Sequence, residues 1–222
     1  MKTSAQYIVM TALLFAAIGV RAATVTYIIG DVWIKKGRSW QSARVRDPLP
    51  SGAVIRTGER SLAIVTLADG SALKIYPDTS FTVTGDNGSK KEATLVDLDR
   101  GMVFIKLLKQ APGRIFFVNY KTVVASVRGT LFYVAVTKKS LFNRDYWLCV
   151  NEGAVHVEEK SSGASVTVPQ GKGILVKGAR TITPPRAYDW TGRLNWNMDP
   201  ARGPVAGREE LEKQDSMIPD RY

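Results

Sequence analysis

The stretch Leu62-Ala-Ile-Val-Thr-Leu-Ala-Asp-Gly-Ser-Ala-Leu-Lys-Ile-Tyr76 shows how this chain folds. Two runs of aliphatic and β-branched residues lie on either side of a short segment that contains Asp69 and Gly70. Aliphatic and β-branched residues favour strands, and glycine adopts the positive φ that many tight turns require. The stretch therefore predicts a strand, a turn and a second strand.

The same pattern continues along residues 23–177. Short apolar runs separated by glycine-containing turns recur about every ten residues, from Val25 to Val176. No segment of this region shows the i, i+3, i+4, i+7 spacing of an amphipathic helix. We predict an all-β domain over residues 23–177, an antiparallel sandwich or roll of many short strands, with two separate strands at Ala93–Leu98 and Met102–Lys106.

A loose turn motif repeats within this domain. An aliphatic residue, two turn residues and a glycine precede a new strand at several irregularly spaced places, so the motif does not indicate a solenoid. We expect its members to be structural turn residues that join paired strands, together with a Gly-Thr pair before a later strand. These residues are Gly52, Asp69, Gly70, Gly101, Gly129, Thr130, Gly153 and Gly171.

Residues 1–22 predict a secretory signal peptide. Lys2 supplies a positive charge, the run Tyr7–Val20 is apolar, and Val20-Arg21-Ala22 places small residues at positions −3 and −1 of a cleavage site. The run is short for a bilayer, which takes about 20 residues. We expect export to an extracytoplasmic compartment of a bacterium, with cleavage after Ala22 and no membrane span in the mature chain. An uncleaved anchor helix is the alternative.

The pattern changes after Lys177, where prolines and glycines interrupt residues 178–222. We expect an irregular C-terminal segment that is partly disordered or docked on the domain. Its larger apolar residues could be buried against the domain or could anchor a partner. These residues are Tyr188, Trp190, Leu194 and Trp196.

The residue types that carry most enzyme chemistry are scarce. His156 is the only histidine, it lies between Val155 and Val157, and no nucleophile motif accompanies it. Cys149 is the only cysteine, and its apolar neighbours predict a buried, inert thiol. A single histidine and a single cysteine cannot build a zinc site. We expect no enzyme activity, no metal and no cofactor.

Positive charge is concentrated in the first part of the chain. The formal net charge is +11, with 31 basic and 20 acidic residues, whereas residues 178–222 hold seven of each. One cluster comprises Lys35, Lys36, Arg38, Arg44 and Arg46. A second, acid-free stretch runs from Arg100 to Arg144 and contains the candidate partner-binding residues Lys106, Lys109, Arg114, Lys138, Lys139 and Arg144.

These cations have two interpretations. They could form an ordinary solubilising surface, or they could face a polyanion of the cell envelope, such as lipid phosphates, an anionic glycan or an acidic protein. Nucleic acid is not expected, because the interleaved aromatics Phe116, Phe117 and Tyr120 alternate as core residues do.

Several blocks of sequence, taken in order, resemble FecR domains. They are Ala63–Ile75 with Asp78-Thr-Ser80, Leu98-x-x-Gly101-x-Val-Phe104, Val127-Arg-Gly-Thr-Leu-Phe-Tyr-Val134, the hairpin-like Val150-Asn-Glu-Gly-Ala-Val-His-Val157, and Gln170-Gly171. Upstream, Gly30–Trp33, Trp40 and Gly52–Thr57 are similar to the lead-in of many secreted members. The resemblance covers residues 24–176.

The resemblance implies an antiparallel β domain without a cofactor. Named members of that family relay a signal from an outer-membrane ferric-citrate receptor to a cytoplasmic sigma factor, through an anti-sigma segment before a membrane helix. Here only Met1 to Gln6 precede the apolar run, so we expect no anti-sigma segment. We expect a non-enzymatic envelope module for protein interaction or sensing, with an unidentified partner. The alternative is a basic module that binds an anionic polymer or glycan.

Overall fold

The computed structural model describes residues 21–85, 93–108, 115–138 and 144–212. Within these ranges the chain forms 17 strands, so the all-β prediction is confirmed. The strands are β1 (Arg21–Ile29), β2 (Val32–Lys36), β3 (Ser39–Ser42), β4 (Pro48–Pro50), β5 (Ala53–Thr57), β6 (Leu62–Leu67), β7 (Ala72–Ile75), β8 (Ser80–Thr84), β9 (Ala93–Lys106), β10 (Ile115–Tyr120), β11 (Val123–Val127), β12 (Leu131–Lys138), β13 (Arg144–Glu152), β14 (Ala154–Glu159), β15 (Ala164–Pro169), β16 (Gly173–Lys177) and β17 (Thr181–Ile182). The predicted signal peptide lies outside the described residues, apart from Arg21 and Ala22 at the start of β1.

The strands pair into two sheets that share one strand. Sheet A has the order β4–β1–β6–β7–β9–β12–β13–β16–β17. Sheet B has the order β3–β2–β5–β8–β9–β10–β11–β14–β15. Among the described strands, β9 and β10 form the one parallel pair. The mostly antiparallel architecture is therefore the predicted one.

Strand β9 connects the two sheets. Its first part pairs with β8 and β10 in sheet B, and its second part pairs with β7 and β12 in sheet A. The prediction of two separate strands, Ala93–Leu98 and Met102–Lys106, is therefore wrong. The chain stays extended through Gly101, where φ is 91°. The glycine bends the strand without ending it.

Most of the glycine turns found in the sequence are corners between the sheets. Gly153 follows β13 of sheet A and precedes β14 of sheet B, and these two strands do not pair with each other. Gly52 and Gly171 likewise lie between strands of different sheets, whereas Gly70 joins the paired strands β6 and β7. The hairpin expected at residues 150–157 is therefore wrong. Local sequence specifies a change of direction, and pairing is decided by more distant strands.

The main core lies between the sheets. Each inward-facing row consists of aliphatic and aromatic residues, as in β12, where Phe132, Val134 and Val136 point into this core. The alternate residues of β12, Leu131 and Tyr133, are also buried, but in a second apolar cluster on the outer face of sheet A. The central strands of sheet A are thus buried on both faces, which explains why they are largely apolar.

The C-terminal segment covers that outer face. It contains two 3₁₀ turns, Asp189–Arg193 and Pro200–Arg202, and the short helix α1 (Arg208–Glu212). Its buried side chains in the second cluster are Tyr188, Trp190, Leu194, Met198, Val205 and Leu211. We call residues 187–212 the C-terminal strap. Of the two roles considered for its aromatic residues, the structure shows burial against the domain.

Candidate functional site

Two of the candidate partner-binding cations, Lys106 and Arg144, lie at opposite ends of strand β12 in sheet A. Lys106, at the end of β9, is exposed and is paired with Leu131 at the start of β12. Arg144, at the start of β13, is paired with Lys138 at the other end of β12. Seven residues of an extended strand span about 23 Å, so the structure does not bring Lys106 and Arg144 together.

The remaining members of that set fall partly outside the structure. Lys109, Arg114 and Lys139 lie outside the described residues, and Lys138 is described through its backbone alone. Arg144 is half-buried, and its Nη1 donates a hydrogen bond of 3.1 Å to the backbone carbonyl of Asp99. This guanidinium therefore ties β13 to β9 in addition to carrying charge.

The turn residues singled out in the sequence have structural roles. Asp69 closes the β6–β7 turn: its carboxylate accepts hydrogen bonds from Ser71 N at 2.9 Å and from Ser71 Oγ at 3.0 Å. Thr130 is buried, and a Cβ added at Gly153 would lie 2.7 Å from its methyl group. Gly129 has a φ of 59°. These residues shape corners and turns.

Two residues whose side chains could take part in catalysis, Cys149 and His156, have structural positions. Cys149 is buried, and burial raises the pKa of its thiol to about 12, so it is not poised as a nucleophile. His156 is exposed on β14, with Nδ1 3.3 Å from Thr167 Oγ1. It lines a shallow groove of about 460 Å³ with Ile115, Ser126 and Arg128. Within the described ranges, no three His, Cys, Asp or Glu side chains lie close enough to hold a metal ion.

A buried lysine that sequence reasoning did not single out holds the C-terminal strap. Lys74 has no exposed surface, and its Nζ donates to the carbonyls of Asn195 at 2.5 Å, Asn197 at 2.8 Å and Val205 at 2.9 Å. The ammonium also lies 4.5 Å from the ring centre of Phe104. Burial lowers the pKa of Lys74 to about 8, and the charge of Glu210 opposes that shift.

One signal could have identified Lys74. It interrupts the apolar run Ala72–Ile75 at a position where the neighbouring residues are buried on both faces. A lysine in such a run is destabilising unless its ammonium donates hydrogen bonds to acceptors such as backbone carbonyls. The acceptors belong to a segment more than one hundred residues away in the sequence, and so could not be named in advance.

The two sheets differ in how their outer faces and edges are covered. The strap covers the outer face of sheet A, whereas no described segment covers that of sheet B. The edges of sheet A are short: β4 has prolines at Pro48 and Pro50, and β17 has two residues. Sheet B ends in β3, which has four residues, and in β15, which has six uncharged residues. Strand β15 is thus the longest edge strand among the described residues.

No helix among the described residues is long and apolar enough to cross a membrane.

This two-sheet arrangement defines a β-sandwich module. The family model for FecR protein matches residues 53–172, more than half of the chain. The chain belongs to the FecR family, as the order of its sequence blocks predicted, over a shorter range than the 24–176 that the resemblance covered.

The fold is also similar to solved structures. Two crystal structures described as a proposed anti-sigma factor from Parabacteroides distasonis ATCC 8503 each match with a TM-score of 0.52 and 20% sequence identity. The match covers 61% of this chain and 60% of that chain, so this chain spans less than two thirds of the length of its structural neighbour. At this identity the likeness shows a shared fold. No curated protein matches the chain.

Proposed function

We propose that this protein is a non-enzymatic signalling or sensing module of the bacterial cell envelope that binds a protein partner along strand β15. Membership of the FecR family supports the signalling role, because the resemblance to that family implies the relay of a signal. The predicted signal peptide supports export, and the first residue of the mature chain would be Ala23. Intact-mass analysis of the protein from the envelope fraction tests that start.

The exposed edge at β15 carries the interaction part of the proposal. Ser165 and Thr167 are exposed, and Pro169 lies at the last position of the strand. Strand β15 pairs with β14 on one side, and no described strand pairs with its other side. An uncharged edge strand whose one proline lies at its last position is a template for another strand. Strand addition of this kind is a common mode of peptide recognition, in which main-chain hydrogen bonds supply much of the affinity.

The experiment compares edge and face substitutions. Ser165→Lys and Thr167→Lys place long cations on the edge strand, where lysine opposes pairing with another chain. Thr82→Lys places the same cation on the outer face of β8, a central strand of sheet B, and is the matched control. Each purified variant is used as bait in an envelope extract, and both the protein and glycan fractions are analysed.

The expected result is a protein that is captured by the unmodified chain and by Thr82→Lys but is lost with the edge variants. Capture that is indifferent to the edge substitutions would contradict the role of β15. Recovery of an anionic glycan in place of a protein would favour the polyanion alternative over this proposal.

A further inference from the structure

The β2–β3 hairpin and the loop that follows it combine cations with exposed apolar side chains. We infer that this basic–aromatic patch, defined by Lys35, Arg38, Trp40, Arg44, Val45 and Arg46, binds the surface of a lipid bilayer that carries anionic headgroups. The inference does not rest on the proposed partner site, since β3 and β15 are the opposite edges of sheet B.

Strand register places a cation next to an exposed tryptophan. Lys35 of β2 is directly opposite Trp40 of β3, so both side chains lie on the same face of sheet B. Lys35 is exposed, and 44% of the surface of Trp40 is accessible. Trp33, two residues before Lys35 on the same face, is half-buried beside Gly58. Trp40 is therefore exposed, whereas Trp33 on the same face is packed against the protein.

The loop after β3 adds an exposed aliphatic residue between two arginines. Val45 is 51% exposed, and Arg44 and Arg46 are both exposed. The backbone of the loop is held in place: Arg44 N donates to Asp47 Oδ2 at 3.0 Å, and Arg46 N donates to Val25 O at 2.8 Å. The three side chains thus extend from a fixed support.

The positive charge of the patch is not neutralised within the described residues. None of its cations forms an ion pair with another described residue. The nearest carboxylate in the loop, Asp47, accepts a backbone hydrogen bond. Four uncompensated cations are therefore available to an anionic surface.

The apolar members favour a bilayer over a soluble polyanion. Tryptophan is enriched at the membrane–water interface, where its ring lies at the level of the headgroups. An exposed valine gains nothing from a carboxylated or sulfated polymer, but it can enter the boundary of the acyl chains while flanking arginines contact phosphates. Trp40 and Val45 beside unpaired cations match this combination.

The test measures binding to vesicles of phosphatidylcholine with and without phosphatidylglycerol. The protein obtained by expressing the full chain should sediment with the anionic vesicles and should be released by salt. Removing three cations in the variant Arg38→Gln/Arg44→Gln/Arg46→Gln should lower the affinity about a hundredfold, since each cation near an anionic surface contributes about fivefold. Trp40→Phe should still bind but should lose the blue shift of tryptophan fluorescence.

The matched control is Lys160→Gln/Lys172→Gln/Lys177→Gln. It removes the same charge from exposed positions in β16 and in the turns on either side of β15. The two edges of sheet B are eight strand spacings apart, about 38 Å, so this control should bind anionic vesicles nearly as well as the unmodified chain.

Three results would overturn the inference. The first is equal loss of binding in both triple variants, which would indicate net charge alone. The second is equal binding to neutral vesicles, which would assign the attraction to apolar contacts such as the run Tyr7–Val20. The third is binding to a soluble acidic polysaccharide without binding to vesicles, which would assign the patch to a glycan.

Discussion

At the scale of single residues, Lys74 fixes the C-terminal strap to sheet A. Its ammonium satisfies three backbone carbonyls of the C-terminal strap at a site without solvent. A buried charge is tolerated where hydrogen bonds replace its hydration, and removing the charge leaves the acceptors unsatisfied. One side chain of β7 therefore determines how residues 195–205 lie on sheet A.

We expect Lys74→Met to lower the free energy of unfolding by about 3 kcal/mol, because it leaves three buried carbonyls without donors. Urea unfolding measures the loss, and the exposed Lys177→Met is the control, with an expected change within about 0.5 kcal/mol. The pKa of Lys74, about 8 in the folded chain, is below its usual 10.5, so the folded chain binds this proton less tightly. Its contribution to stability therefore rises from pH 8 to about 10.5. A Lys74→Met variant as stable as Lys177→Met would contradict this role.

Glu159 is a carboxylate that the fold stabilises in its charged form, whereas burial disfavours the charged form of Lys74. Its oxygens accept hydrogen bonds from Ser162 Oγ at 2.6 Å, Ser162 N at 2.8 Å and Ser161 N at 3.1 Å. These bonds, with that of the Ser162 side chain first, lower the pKa of Glu159 to about 2. The carboxylate organises the turn between β14 and β15.

The depressed pKa of Glu159 predicts a loss of stability in acid. The contribution is fully present above about pH 4.5 and is lost as the pH falls towards 2, because the unfolded chain then binds the proton more tightly. Glu159→Gln should lower the midpoint of urea unfolding at pH 7. It should also reduce the loss of stability between about pH 4.5 and 2. The neighbouring Glu158→Gln, at an exposed site, should do neither. Identical acid profiles for the two variants would refute the assignment.

At the scale of the element, β9 is the strand on which both sheets depend. Its bend brings Gly101 against Thr79, so that a Cβ at Gly101 would lie 2.5 Å from the Cα of Thr79. Thr79 Oγ1 also accepts a hydrogen bond of 2.9 Å from Met102 N, beside the bend. This contact requires glycine for its space as well as for its φ of 91°.

Alanine substitutions separate these two requirements. Gly52 has a φ of 80° and no atom within 4 Å of an added Cβ, so Gly52→Ala should cost only the backbone strain, about 1 kcal/mol. Gly101→Ala should cost that strain and a further 1–3 kcal/mol, roughly, for overpacking against Thr79. Thermal unfolding of the two variants gives the comparison. Equal losses of stability in the two variants would show that Gly101 and Thr79 can move apart at no cost in free energy.

At the scale of the whole molecule, the sandwich is asymmetric. Sheet A has a second apolar layer beneath the strap, built from aromatic contacts such as Trp190 with Trp147 at 5.7 Å and with Tyr133 at 6.1 Å between ring centres. No described segment covers the outer face of sheet B, and its edge strands β3 and β15 each pair with one described strand only. The proposed partner-binding edge β15 and the β2–β3 hairpin of the basic–aromatic patch both belong to sheet B.

Removing an aromatic residue of the strap tests its contribution to the whole fold. Trp190→Ala should lower the free energy of unfolding by about 3–5 kcal/mol, since a buried tryptophan leaves a large cavity. It should also increase binding of a dye that reports exposed apolar surface. Trp40→Ala, at an exposed site, should change stability by no more than about 0.5 kcal/mol. If both variants are equally stable, the strap does not contribute to the core.

The sequence predicted the candidate surfaces only in part. The cluster around Arg44 was visible as charge, but its association with Trp40 and Val45 depends on the β2–β3 register and on the exposure of the loop. The acid-free stretch from Arg100 to Arg144 was also visible. Strand pairing places Lys106 and Arg144 at opposite ends of β12, because one linear run of charge is divided by the path of the chain.

By itself, the sequence determined the all-β class, the FecR resemblance and the positions of the bends, because alternation and glycine act through local sterics. Only the tertiary structure decided that Gly101 and Gly153 are corners between sheets, since pairing depends on strands distant in the chain. It likewise decided that Lys74 is buried, because its acceptor on Val205 is 131 residues away. Local conformational preferences determine where the chain forms strands and bends, and long-range contacts determine which strands pair.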